Sequence, residues 1–147
     1  MTIPPFLIPV AAGLIAQALK PLLSQAWRQD QRVRLDPRPR YGGMPSAHIA
    51  FATSLATTTS LIDGISSVTF ALAVALLIYL LDDALRLRVF LERFGTAIRF
   101  LAALLPVRNR EQLPPIEARI GHSIPEVFVG AVIGIATTVV LWTLDAP

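Results

Sequence analysis

PSAHIAFATSLATTTSLI (residues 45–62), the dipeptide Asp63-Gly64, and ISSVTFALAVALLIYLL (residues 65–81) decide the fold. Two apolar runs meet at a tight Asp-Gly turn, and neither alternates as a barrel strand would. Outward from this pair, a third run covers residues 3–23, interrupted only by Gln17 and Lys20 near its end, and a fourth covers residues 125–144. Each is roughly 17–21 residues, close to the ~20 that cross ~30 Å of hydrocarbon as a helix. The expected fold is all-α: one membrane domain over residues 1–147, a polytopic bundle of about four transmembrane helices. A shorter stretch, residues 96–107, is too short to span and is expected at the interface or dipping into the bundle.

Composition points the same way. Hydrophobic residues make up 54% of the 147 and charged residues 16%. A soluble domain carries about a quarter charged residues, and the mean hydropathy here is +0.60. The chain has no cysteine, which excludes disulfides, thiolate metal sites and cysteine nucleophiles. No Lys or Arg precedes the first run, which is too long for a signal core and reads as a retained helix.

Charge sorts the spans. The 13 basic residues are Lys20, a group between Arg28 and Arg40, and a group between Arg86 and Arg119. None precedes the first run, sits at Asp63, or follows the fourth run. With four spans both basic regions share one side, which the positive-inside rule places in the cytoplasm, with both termini opposite. The bilayer and its anionic headgroups are the expected partners, and nucleic acid is not. Most of the arginines are expected to serve topology and anionic lipid.

Small and hydroxyl residues mark the helices expected inside the bundle. Ala52 and Ala56, then Thr53, Thr57 and Ser60, follow helical spacing in the second run. Gly130, Gly134 and Thr138 do so in the fourth. Such faces let helices approach closely and hydrogen-bond in lipid, although small residues are also simply common there.

The two histidines each stand at the start of a helix entering from the basic side. One lies in Tyr41-Gly42-Gly43-Met44-Pro45-Ser46-Ala47-His48, the other in Gly121-His122-Ser123-Ile124-Pro125-Glu126. Helix N-termini offer unpaired N–H groups to an anion, and a Gly-Gly bend lets backbone amides come close. Two such starts among arginines read as an anionic headgroup site. A blander account makes residues 42–46 a turn and a helix start. Likewise Ser123 and Glu126 fit a capping box, with His122 left outside the helix.

These motifs, in this order, resemble the divergent branch of the type 2 phosphatidic acid phosphatase and vanadium haloperoxidase superfamily. Asp82 with Arg88, and Gln17 with Lys20, are similar to further elements of that branch. The resemblance implies phosphate-ester hydrolysis without a metal or other cofactor. It makes His122 the nucleophile that becomes a phosphohistidine, Glu126 its orienting carboxylate and His48 the general acid. Ser46 and the amides near Gly42 and Gly43 would hold phosphate oxygens, with charge from Lys20, Arg40 or Arg88. Asp82 would support the site or pair with Arg88. The substrate would be a lipid or isoprenoid phosphate met at the cytoplasmic face.

The sequence also departs from the broader superfamily. Ala47 stands where it has glycine, Glu126 where it has aspartate, and Pro115-Ile116 where it has a Ser-Arg pair. The alternative is a non-catalytic small membrane subunit that binds anionic lipid or a partner membrane complex.

Overall fold

A computed structural model describes residues 3–27, 43–105 and 122–145. Arg40, Gly42 and the arginines of residues 28–38 and 108–119 lie outside the described residues. Among the described residues there are five α-helices and no strand: α1 (Leu7–Trp27), α2 (Ala47–Asp63), α3 (Val68–Asp82), α4 (Arg88–Ala103) and α5 (Ile124–Asp145). A five-residue π-turn, Asp83–Leu87, joins α3 to α4.

Local chemistry sets the boundaries. Pro4 and Pro5 precede α1, and the N–H groups of Leu7 and Ile8 bond back to their carbonyls. Gly64, at φ +80°, ends α2 in a conformation that favours glycine. Ser67 then caps α3 by accepting the Phe70 N–H at 3.2 Å, and its hydroxyl donates to the Gly64 carbonyl at 2.7 Å.

The helical run Val68–Arg86 and helix Ile124–Asp145 are long and apolar enough to cross a membrane. Leu7–Leu23 is a shorter apolar stretch. α2, 17 residues long and rich in hydroxyls, falls outside that class, although it lies at the centre of the bundle, against α1, α3 and α5. α5 is only half interior: Val127, Gly130, Gly134 and Thr138 face inward, whereas Phe128, Val132 and Val139 are exposed.

The α2–α5 seam is close to backbone contact. A Cβ on Gly130 would lie 2.5 Å from the Ser46 carbonyl oxygen. One on Gly134 would overlap the Ala50 carbonyl and Thr53 Oγ1. Thr53 uses that closeness to reach the Ala131 carbonyl at 3.4 Å, besides its own Ile49 carbonyl at 2.7 Å. One turn on, the Ser54 and Thr138 hydroxyls meet at 2.7 Å, fully buried. With lipid outside as apolar as leucine, such packing and bonding is what holds helices together.

α2 and α5 run parallel, and α1 and α3 run opposite to them, so the helix ends sort into two groups. At one end, the Ser46 N–H donates to the Glu126 carbonyl at 3.0 Å and the His122 N–H to the Ala84 carbonyl at 3.4 Å. Lys20, near the end of α1, lies beside Gly43 at that same end. At the other end are the Asp63-Gly64 turn and the Ile3 N–H, which donates to the Asp145 carboxylate at 3.3 Å.

α4 differs from the expected 96–107 stretch. It begins eight residues earlier, at Arg88, because its apolar residues follow a helical period rather than a continuous run.

Candidate active site

The His122 region is built by the start of α5. Ser123 occupies the position before the first helical residue, and Val127 N–H bonds its carbonyl at 3.1 Å. Glu126 turns back, and its Oε2 accepts the Ser123 N–H at 2.9 Å. The same oxygen stands 3.3 Å from His122 Nδ1. His122 and Glu126 are 7% and 1% exposed, so a water-excluded imidazole and carboxyl face each other. The capping contact and the histidine contact, competing but not exclusive readings of the sequence, are made together by one oxygen. As a carboxylate, Glu126 can only accept. It therefore selects the tautomer protonated at Nδ1 and leaves the Nε2 lone pair for chemistry.

The start of α2 lies against this turn. Ser46 has extended backbone, is fully buried, and makes no side-chain capping bond to its own helix. Among the described residues its Oγ has no hydrogen-bond partner, and neither has Ser123 Oγ. The first N–H groups of α2 have no carbonyl a turn below them. A buried, uncommitted hydroxyl at such a helix start is suited to a phosphoryl oxygen. Gly43, at φ +96°, turns the chain into this start. A Cβ there would lie 3.9 Å from Lys20 Cε, so the half-buried lysine runs along the glycine bend.

Two other candidate residues, His48 and Asp82, are exposed. His48 is on the first turn of α2 but on its exposed side, whereas Ser46 faces Gly130. Asp82 pairs with Arg86 at 3.2 Å on an open surface, a contact of little energetic weight. Arg88 is the first residue of α4. Ala84, which sequence reasoning passed over, takes the His122 N–H on its carbonyl. Nothing in the sequence marks it, because it acts through a backbone oxygen in a π-turn. π-turns of this kind recur at functional sites. Among the described residues no cluster of three or more His, Asp or Glu side chains could hold a metal ion.

Two helices long and apolar enough for a membrane, with two motif-bearing helix starts joined at one end around a buried His–Glu pair, define a helical membrane protein. The chain belongs to the Divergent PAP2 family, whose sequence model matches residues 1–137. It is 32% identical over 111 residues to "Uncharacterized membrane protein YuiD" of Bacillus subtilis (strain 168), covering 68% of this chain and 70% of that one. No solved structure matches the chain.

Proposed function

We propose that the protein is a four-span membrane phosphatase that hydrolyses a lipid or isoprenoid phosphate ester at the cytoplasmic face. The carrying observation is the buried His122–Glu126 pair beside the uncommitted Ser46 hydroxyl. In the first step His122 Nε2 attacks phosphorus, the bond to the lipid oxygen breaks, and that oxygen takes a proton from His48. Glu126 stabilises the imidazolium character that develops on the nucleophile. In the second step water attacks the phosphohistidine and passes its proton back to His48. The P–N bond breaks and inorganic phosphate leaves. Ser46, the first amides of α2 and Lys20 stabilise charge on the transferring group, as phosphoryl transfer requires. Arg40, Gly42 and Arg88 are further phosphate-binding residues in this scheme, with Asp82 in support.

Four spans follow from the separation of the basic segments by the apolar runs, with α2 shielded from lipid by its neighbours. The arginine-rich segments then lie in the cytoplasm and the termini on the opposite side.

The test is phosphate release by the purified full chain in lipid nanodiscs from a panel of polyprenyl and diacylglycerol phosphates. Hydrolysis is expected for at least one, inhibited by vanadate and lowered about 10³-fold or more by His122→Ala. A protein that releases phosphate from none of them is not this enzyme. The second reading, a non-catalytic subunit binding anionic lipid or a membrane partner, draws on the exposed position of His48 and on Pro115-Ile116 in place of a Ser-Arg pair.

A further inference from the structure

α4 is the helix that the bundle leaves aside. Phe90, Leu91, Phe94, Ile98 and Leu101 share one side at helical spacing, and they are 45–61% exposed. Phe90 and Phe94 stack edge to face at 4.8 Å along it. Arg93, Thr96 and Arg99 lie on the other side, the first two exposed and Arg99 half-buried and bonded to Thr96 at 3.1 Å. Phe100 sits among these polar residues, also exposed. Among the described residues α4 packs substantially against the π-turn alone, so the bundle does not cover the apolar row.

We propose that α4 is a docking surface for anionic phospholipid, its apolar row bedded among the upper acyl chains and its arginines on headgroup phosphates. The position of the helix selects that occupant. It follows directly from the run Val68–Arg86, whose outer face, with Val68, Leu72 and Tyr79, is exposed and apolar. A helix that begins where such a run ends meets a medium that changes from hydrocarbon to headgroup within a few ångströms. A helix apolar on one side and cationic on the other fits that boundary. Three arginines against one glutamate give α4 a positive balance, and the guanidinium fork matches phosphate oxygens. A second copy of the chain would cover the apolar row but offer the arginines no anion.

This surface is independent of hydrolysis, and its test needs none. In full-length protein with Trp27→Phe and Trp142→Phe, a tryptophan reporter is introduced as Phe94→Trp. The protein is placed in nanodiscs doped with phosphatidylglycerol or phosphatidylcholine brominated near the headgroup end of the chain. Brominated phosphatidylglycerol is expected to quench the reporter more strongly than the phosphatidylcholine at equal mole fraction. The excess should fall about fivefold for each of Arg93→Gln and Arg99→Gln. Equal quenching by the two lipids overturns the anionic preference, and no quenching by either shows protein covering the row. Phosphatidylglycerol co-purifying with the chain, with and without the two arginine changes but with Phe94 and both tryptophans intact, gives the same readout should the reporter disturb folding. Retention unaffected by those changes overturns the proposal.

Discussion

Glu126 serves two neighbours through one oxygen, and substitutions can separate the two services. Removing the carboxyl as Glu126→Ala leaves the Ser123 N–H and the His122 ring without their acceptor. The expected loss is about 1–3 kcal/mol, read as a lower unfolding temperature in detergent. Glu126→Gln keeps an acceptor oxygen and should recover much of that stability. Its neutral amide cannot balance an imidazolium, so phosphate release should stay low. Recovery of both properties together would reduce Glu126 to a helix cap. The spacing of His122, Ser123 and Glu126 makes both contacts legible in the sequence, as competing but not exclusive roles. They coexist because a residue ahead of the helix can fold its ring back over the first turn. Other residue-level features had no sequence signal. Ala84 acts through its carbonyl, and Ser46 and His48, two apart in one motif, face different surroundings.

Among the elements, the α2–α5 seam is the most demanding. Gly130→Ala and Gly134→Ala each put a methyl group into backbone or a buried hydroxyl across the seam. Neither neighbour is the tip of a flexible side chain, so each change is expected to cost roughly 2 kcal/mol or more. Gly13→Ala is the contrast. Its Cβ would meet Phe51 Cβ at 3.6 Å, an ordinary contact. Helix propensity makes it neutral or slightly stabilising. Thermal unfolding of the three variants in detergent checks the ranking, and equal effects would deny the glycines their special place. Small-residue spacing disclosed this seam in advance, since Gly130, Gly134 and Thr138 recur on one face. Apolar runs likewise marked where helices lie, but blurred their ends. The first run begins at residue 3 whereas α1 begins at Leu7, because two prolines precede it. α4 was half hidden, since Arg86, Arg88 and Arg93 break any continuous run, and only its helical period betrays it.

At the scale of the molecule, the described helix ends fall into two groups. Lys20, Gly43, Ala84 and His122 gather at one, and the Asp63-Gly64 turn and the Ile3–Asp145 contact at the other. A chain with no cysteine makes the four-span topology simple to examine. Ile65→Cys, on a well exposed residue, should react with a membrane-impermeant maleimide on intact cells. Arg34→Cys, in the first basic segment, should react only after lysis. The reverse pattern would invert the protein, and labelling of both on intact cells would break the four-span count. The sorting of basic residues by the apolar runs is a reading of the sequence, and the labelling pattern tests it. The small and hydroxyl residues of α2 marked it for the interior, where α1, α3 and α5 enclose it, whereas the same marks on α5 did not disclose that half of that helix is exposed.

The π-turn also governs phase. In an unbroken α-helix, the outer positions of α3 (68, 72 and 79) would run on through 83, 86, 90 and 94 as one continuous stripe. A π-turn takes up one extra residue, which rotates everything after it by about 100°. The phenylalanines of α4 consequently look in a different direction around the axis from Tyr79. One additional residue thus turns a single lipid-facing stripe into two differently aimed surfaces, and deleting one residue between 83 and 87 would merge them again.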